Sequence, residues 1–186
     1  QKAEQALQIA QGEIDRVRLI VERNPVYDED ELKLFEDATN VPLGTNISVV
    51  SAPTSSITEA AWQAASTYSS ALVARQIDTN GDGTPDIVVQ SYRGESVDKT
   101  PRTGVTMPVV FDMGVRVYDF AAMRDNAGSL ETEPAALGFT SGEGERGRKP
   151  LAALYTRIVN SDEPLALCQY MDFSEESVPT TMSCTP

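Results

Sequence analysis

The first 24 residues carry a regular apolar pattern that predicts a long amphipathic helix. Spacings alternate between four and three positions, so the apolar side chains form one stripe on a helical surface. The stripe consists of Ala3, Leu7, Ala10, Ile14, Val17 and Val21. Glu13 and Arg16 are predicted to pair on the polar side, and Asn24-Pro25 predicts the end of the helix. About 21 helical residues would form a rod about 32 Å long.

Two segments that follow have weaker patterns. Residues 26–38 are acidic and predict a short helix or helical turn. The acidic cluster from Asp28 to Glu31 would lie at the positive N-terminal end of that helix, so it is interpreted as a solvated cap. Residues 46–52 are a short candidate strand.

Residues 56–66 predict another helix. Ser55 or Ser56 would cap it, and Glu59 lies where a capping box places its acidic residue. The only tryptophan, Trp62, falls on this helix and is interpreted as a core residue rather than a ligand platform.

The rest of the chain has the features of strands and loops. Gly114 is expected at a turn or bulge, and residues 126–150, rich in Gly, Glu, Thr and Pro, are interpreted as a surface loop. The predicted strands are 70–77 and 86–93 as a hairpin, one or two within 103–123, then 150–161 and 164–173.

These elements together predict an α+β fold. A long N-terminal amphipathic helix would pack on an antiparallel β-sheet. The helical rod would occupy residues 1–24, and a globular head would occupy residues 25–186.

Composition narrows the class of function. The 186 residues include 28 acidic and 15 basic side chains, for a net charge of −13. This charge argues against binding to nucleic acid or to an anionic membrane surface, because both require Lys and Arg. The chain contains no histidine, which excludes Ser-His-Asp and Cys-His nucleophiles and His-based zinc sites.

The polar stretch between the two hairpin strands, DTNGDGTPDIVV at 78–89, is the strongest chemical signal. Calcium takes six to eight oxygen ligands, which a tight loop supplies from alternate positions. The predicted ligands are the side chains of Asp78, Asn80, Asp82 and Asp86 and the carbonyl of Thr84.

The stretch resembles the calcium loops of FG-GAP repeats and other extracellular modules. It is not an EF-hand, because position 12 is Val89 within a strand rather than a glutamate before a helix. The alternative is a metal-free Asx turn, which also favours Asp, Asn and Gly but leaves three carboxylates repelling one another. A bound ion would tie the two strands together rather than catalyse a reaction.

The two cysteines, Cys168 and Cys184, lie near the C-terminus. Two free buried thiols are possible, but a disulfide that closes a C-terminal loop is the favoured interpretation. Such a bond contributes about 3 kcal/mol in the chain-entropy model, and it implies an oxidising compartment.

A helix at the start, a central antiparallel sheet and a C-terminal disulfide loop resemble the type IV pilins and the pseudopilins of type II secretion. The segments QGEIDRVRLIVER, VRVYDF and ETEPAALGFTSGEGERGRKPLAALYTRI are also similar to cyanobacterial pilin-like proteins, including pseudopilins of hormogonium polysaccharide secretion. In that family an apolar half-helix precedes the amphipathic half. Because this sequence starts at Gln1 inside a helical pattern, the apolar half is expected upstream.

The resemblance implies a non-catalytic minor pilin or pseudopilin. Its partners would be other fibre subunits, and its missing apolar segment would anchor it in the inner membrane before assembly. It would then reside in the periplasm or in a cell-surface fibre used for assembly, motility or secretion.

A second class shares several of these features. A secreted calcium-dependent adhesin or carbohydrate-binding module would also be acidic, calcium-binding and disulfide-bonded, but it needs no helical rod. A carboxylate-based hydrolase is a third class, for which the sequence offers many acids and no recognisable constellation.

Overall fold

The computed structural model describes residues 2–23, 26–36, 46–65, 70–99, 106–134 and 147–161. The helices are α1 (Lys2–Arg23), α2 (Glu29–Leu32), the 3-10 helix η1 (Ile47–Val49), α3 (Glu59–Ala64) and α4 (Phe120–Asn126). The strands are β1 (Phe35–Glu36), β2 (Ser55–Ile57), β3 (Val73–Ile77), β4 (Ile87–Lys99), β5 (Met107–Asp119) and β6 (Ala152–Val159).

The strands form one sheet in the order β2-β3-β4-β5-β6. Strand β1 pairs with the same edge of β4 as β3 does, but at the later residues Tyr92 and Arg93. The pairs from β3 to β6 are antiparallel, as predicted, whereas β1 and β2 join their neighbours in parallel. The predicted α+β fold with an N-terminal helix on a sheet is therefore confirmed, and the sheet is mixed at β1 and β2.

Helix α1 covers one side of the sheet, called the front face here. Lys2 Nζ donates to Asp119 at the end of β5, and the Tyr27 hydroxyl beyond the helix donates to the Pro108 carbonyl near the start of β5. The helix therefore runs antiparallel to β5. A membrane-crossing helix is not found in the described part of the chain, because no helix there combines the required length with the required apolar character.

The apolar stripe of α1 is confirmed from Ala10 onward and differs between Ala10 and the N-terminus. Ala10, Ile14, Val17 and Val21 are buried, but Ala3 and Leu7 are exposed, and Ala6 takes the buried position in their place. At this end the buried face is therefore shifted by one position, from Leu7 to Ala6, which belongs to the core. Asn24-Pro25 lies outside the described residues, and α1 ends at Arg23 just before it.

The side of the sheet opposite α1, called the back face here, is covered by short irregular segments. Val88, Gln90 and Tyr92 of β4 alternate with the front-facing Ile87 and Val89 and pack under residues 46–53, α3 and α4. The predicted strand at 46–52 is wrong: Asn46 caps η1 by accepting from the Ser48 amide at 3.0 Å.

The start of one predicted helix also differs. The helix predicted at 56–66 begins at Glu59, and its cap is Thr58, whose hydroxyl accepts from the Ala61 amide at 3.2 Å. Ser55 and Ser56, the predicted caps, lie in β2 instead because they pair with β3. The acidic cap on α2 is confirmed, with Asp28 and Glu31 forming a capping box.

Gly114 is neither a turn nor a bulge. It lies within the single strand β5, paired with Tyr92 on one side and Tyr155 on the other. A methyl group built on Gly114 would lie 2.5 Å from Tyr92 Cζ, so glycine is needed there for the ring to lie across the strand. The predicted strand at 150–161 is confirmed as β6, whereas the one at 164–173 and both cysteines lie outside the described residues.

Candidate calcium loop and buried polar clusters

The polar stretch forms the loop of the predicted hairpin. Ile77 pairs with Ile87, and the Asp86 amide donates to the Ile77 carbonyl at 3.0 Å, which closes the loop at its base. Two loop glycines have left-handed backbone angles, φ +76° at Gly81 and +86° at Gly83. Residues that carry a side chain rarely adopt these backbone angles, so the tight course of the loop favours glycine at both positions.

Asp78 accepts hydrogen bonds from three backbone amides of the loop. Its Oδ1 accepts from Asn80 at 3.2 Å and from Gly81 at 2.7 Å, and its Oδ2 accepts from Gly83 at 2.7 Å. These bonds favour the ionised carboxylate, with the Gly83 amide contributing most, and they hold the pKa of Asp78 below its usual value. The loop amides thus supply positive partial charge to this carboxylate.

Asn80 and Asp82 repeat the same short-range bonding. Asn80 Oδ1 accepts from the Asp82 amide at 2.8 Å, and Asn80 Nδ2 donates to Asp82 Oδ2 at 3.0 Å. Asp82 Oδ1 in turn accepts from the Thr84 amide at 2.8 Å. Together with Asp78, this makes three successive turns in which a side-chain oxygen accepts from the amide two residues later.

Asp86 closes the far end of the loop. Its Oδ2 accepts from the Thr79 hydroxyl at 2.6 Å and from the Thr79 amide at 2.9 Å, and these bonds lower the pKa of Asp86, the hydroxyl contributing most. Its carbonyl accepts from Phe120 at 3.0 Å. Lys2, whose ammonium pairs with Asp119 at 2.8 Å, adds a smaller electrostatic contribution. The loop base therefore lies beside the start of α1 and of α4.

The loop thus brings the predicted donors together within one tight turn. All five predicted ligands, Asp78, Asn80, Asp82, Thr84 and Asp86, offer the oxygen atoms that calcium prefers. Among the residues that the structure describes, however, no three acidic, histidine or cysteine side chains form a metal-binding group. The carboxylates accept hydrogen bonds from groups of the loop itself, and calcium binding stays a prediction.

A buried arginine on the back face is a polar feature that no sequence motif indicates. Arg116 is fully buried in β5. Its Nη1 donates to the carbonyls of Val50 at 2.7 Å and Ser51 at 3.4 Å, and its Nη2 donates to Ser48 at 2.7 Å. These carbonyls belong to η1 and the residues after it, so the guanidinium caps the negative end of this short helix.

The remaining contacts of Arg116 are also with neutral groups. Nη1 lies 3.3 Å from Gln90 Oε1, Nε donates to the Tyr155 hydroxyl at 3.0 Å, and the guanidinium lies 5.2 Å from the Tyr92 ring centre. Burial raises the pKa of Tyr92, while the charge of Arg116 lowers it by a smaller amount. The period-two alternation of β5, with Arg116 between Val115 and Val117, is the sequence signal that could have located this residue.

A second buried charged cluster joins the front face to α3. Glu13 is buried on α1, where an exposed position was predicted, and it forms an ion pair with Arg75 of β3 and another with Arg16 at 3.2 Å. Arg75 also lies 4.0 Å from the ring centre of Trp62, which is buried as predicted. The cluster connects α1, α3 and β3 through charge and ring contacts.

A cavity of about 500 Å³ opens beside the 46–53 segment. Its lining mixes aliphatic groups, hydroxyls and two glutamates, namely Val49, Ser51, Ala52, Pro53, Gly128, Leu130, Glu131, Thr132 and Glu133. Glu131 lies 3.5 Å from Arg148 and 3.7 Å from Lys149, so its charge is partly compensated.

Comparison with protein-family models, curated proteins and solved structures found no match for this chain. The function is therefore inferred from its own residues and their arrangement.

Proposed function

We propose that the protein is a non-catalytic structural subunit of a pilus-like or type II secretion-like fibre, of the minor pilin or pseudopilin kind. The observation that supports this function best is the arrangement of α1. A 22-residue amphipathic helix lies along a mixed sheet, and the stripe residues Ala3 and Leu7 stay exposed. Leu7 is 41% exposed, although it belongs to the stripe that is buried from Ala10 onward.

In this proposal the uncovered part of the stripe contacts another fibre subunit. Burial of an apolar side chain against a partner stabilises the contact by about 25 cal/mol per Å² of apolar surface removed from water. The proposal also requires an apolar segment before Gln1 that anchors the subunit in the inner membrane, and an extracytoplasmic location before and after assembly.

Fibre incorporation in the cells that make the protein tests this function. Ala3→Glu places a charge on the uncovered stripe, and Gln5→Glu places the same charge on an exposed position outside the stripe. We expect Ala3→Glu to lose incorporation, measured by immunoblot of sheared surface fibres, while Gln5→Glu retains it. Both isolated domains should melt at the wild-type temperature. Normal incorporation of the Ala3→Glu variant would refute the fibre interface.

A second candidate is a secreted calcium-dependent adhesin or carbohydrate-binding module, which the hairpin loop favours. The native gene distinguishes the two classes. A short basic leader followed by about 20 apolar residues directly before Gln1 would support the fibre subunit, because that length spans a bilayer as a helix. A cleavable secretory signal peptide would support the secreted module.

Calcium binding itself is tested by thermal melts in chelator, calcium and magnesium. A ligand that binds only the folded state stabilises it by about 2.7 kcal/mol at a hundredfold excess over Kd, and extracellular calcium sites have Kd values of about 10⁻⁴ to 10⁻³ M. We expect calcium to raise the melting temperature more than magnesium, and Asp82→Ala to abolish the response. Asp125→Ala removes an exposed aspartate outside the loop and should retain it. An equal response of both variants would place the ion elsewhere.

A further inference from the structure

Asn80 and Gly81 form the one Asn-Gly dipeptide in the sequence. Both residues are exposed at the tip of the β3–β4 loop. In an Asn-Gly pair the glycine nitrogen can attack the side-chain carbonyl carbon of asparagine, because glycine has no side chain to obstruct the approach. The folded loop decides whether the two groups can meet.

We propose that Asn80 is a deamidation site that the folded loop keeps unreactive through hydrogen bonds to Asp78 and Asp82. The reaction joins Gly81 N to Asn80 Cγ and breaks the bond from Cγ to Nδ2. The Gly81 nitrogen gives up its proton to a solvent base, and Nδ2 takes up a proton and leaves as ammonia. Water then opens the five-membered imide to aspartate or isoaspartate, and no oxidant or reductant takes part.

Each reacting group is held in a contact that opposes this reaction. The Gly81 amide donates to Asp78 Oδ1 at 2.7 Å, and the negative charge of that carboxylate disfavours removal of the amide proton. The Asn80 carboxamide is held at both ends by Asp82, through its amide at 2.8 Å and its Oδ2 at 3.0 Å. Imide formation therefore has to wait until both sets of bonds open.

Deamidation also changes the chemistry of the loop. It replaces the neutral side chain of Asn80 by a carboxylate, so the loop gains a fourth negative charge between Asp78 and Asp82. An aspartate product adds an anionic oxygen at the third loop position. An isoaspartate product inserts one atom into the backbone and displaces the left-handed Gly81. The reaction thus records how often the loop opens, as a covalent change.

The test compares deamidation rates at mildly alkaline pH in the presence of chelator, so that bound calcium gives no protection. The samples are the whole protein, its Asp78→Ala variant and a synthetic peptide of residues 76–88, followed by peptide mapping with mass spectrometry. We expect the folded protein to react at least about tenfold more slowly than the peptide, the factor that 1.4 kcal/mol of opening free energy represents. Asp78→Ala should raise the rate by a similar factor.

Two control variants define the site. Asn80→Gln should give no product in this peptide, because the longer side chain does not form the five-membered ring. Asp125→Ala, which removes the same charge outside the loop, should react at the wild-type rate. Equal rates in the folded protein and the peptide, or a slow rate in an Asp78→Ala variant with wild-type circular dichroism, would overturn the proposal.

Hydrogen exchange of the wild-type protein covers the case in which Asp78→Ala fails to fold. The Gly81 amide should be protected from exchange relative to the peptide, because exchange and imide formation both require its bond to Asp78 to open. A Gly81 amide that exchanges at the peptide rate would overturn the proposal.

Discussion

The two faces of the sheet are covered in different ways. The front face carries a single regular helix, α1, whose Ile14, Val17 and Val21 pack on Val115 and the other apolar residues of β5. The back face carries short segments that are attached by apolar contacts and, in addition, by hydrogen bonds from Arg116 and Gln90 to backbone carbonyls. Apolar contacts depend little on direction, whereas hydrogen bonds require defined distances and angles.

This difference has an energetic consequence. Loss of one methyl-sized group on the front face removes a small part of a large contact area. Loss of one guanidinium on the back face leaves several buried or half-buried oxygen acceptors without a donor at the same time. We therefore expect the back face to be the more sensitive of the two to a single substitution.

The largest effect is expected at Arg116. Arg116→Leu leaves the carbonyls of Ser48 and Val50 and the Oε1 of Gln90 without the guanidinium donor, and each buried unsatisfied group costs about 1–3 kcal/mol. We expect a loss of at least about 4 kcal/mol in the free energy of unfolding, measured with urea. Arg116→Lys keeps the charge but has fewer donors, so it should fall between wild type and Arg116→Leu. A loss below about 1 kcal/mol in Arg116→Leu would refute the difference between the faces.

A slightly smaller effect is expected at Glu13 on the front face. Glu13→Ala leaves Arg75 without its buried carboxylate partner, which costs about 3 kcal/mol for a pair of this kind. The matched control is Glu59→Ala, because Glu59 is an exposed partner of the same arginine. Its loss should be below about 1 kcal/mol. Equal losses in the two variants would mean that burial of the pair has no energetic role.

The sequence predicts the front face far better than the back face. The stripe of α1 follows from spacing alone, because the helix is regular and its contacts are apolar. The exposure of Leu7 and the burial of Glu13 could not be predicted, since the first depends on which side of the helix meets the sheet at Ala6 and the second on where Arg75 lies. The back-face cover is irregular, so the sequence predicts a strand at residues 46–52 although Asn46 and Arg116 stabilise a 3-10 helix there.

The position of the candidate loop also follows from the sequence, because regular elements flank it. Its ends follow from the two flanking strands, and its tight course follows from Gly81 and Gly83. The direction in which Asp78, Asp82 and Asp86 point could not be predicted, because backbone amides and a cation offer the same carboxylates comparable partners.

A moderate effect is expected at Gly114, which lies between Tyr92 and Tyr155 on the back face. Gly114→Ala places a methyl group against the Tyr92 ring, and such overpacking typically costs about 1–3 kcal/mol. A double-mutant cycle with Tyr92→Leu measures the contact, because the smaller side chain leaves room for the methyl group. The Gly114→Ala change should cost clearly less in the Tyr92→Leu background than in the wild type. An equal cost in both backgrounds would show that the clash is not with Tyr92.

The smallest effect is expected in the loop, outside both faces, and it concerns pH. The folded pKa of Asp78 is lowered, chiefly by the Gly83 amide, so its contribution to stability is present above the unfolded pKa of about 3.9 and is lost as pH falls through the folded value. Asp78→Asn keeps an oxygen acceptor but does not titrate. The difference in melting temperature between wild type and Asp78→Asn should therefore be constant near neutral pH and shrink below about pH 4.

The shrinkage should be small, because Asp78 is exposed to solvent and water screens its interactions. The same pair of melts for Asp125→Asn gives the contribution of an exposed ion pair outside the loop. A difference for Asp78→Asn that stays constant down to pH 3 would mean that the loop amides do not favour the ionised carboxylate.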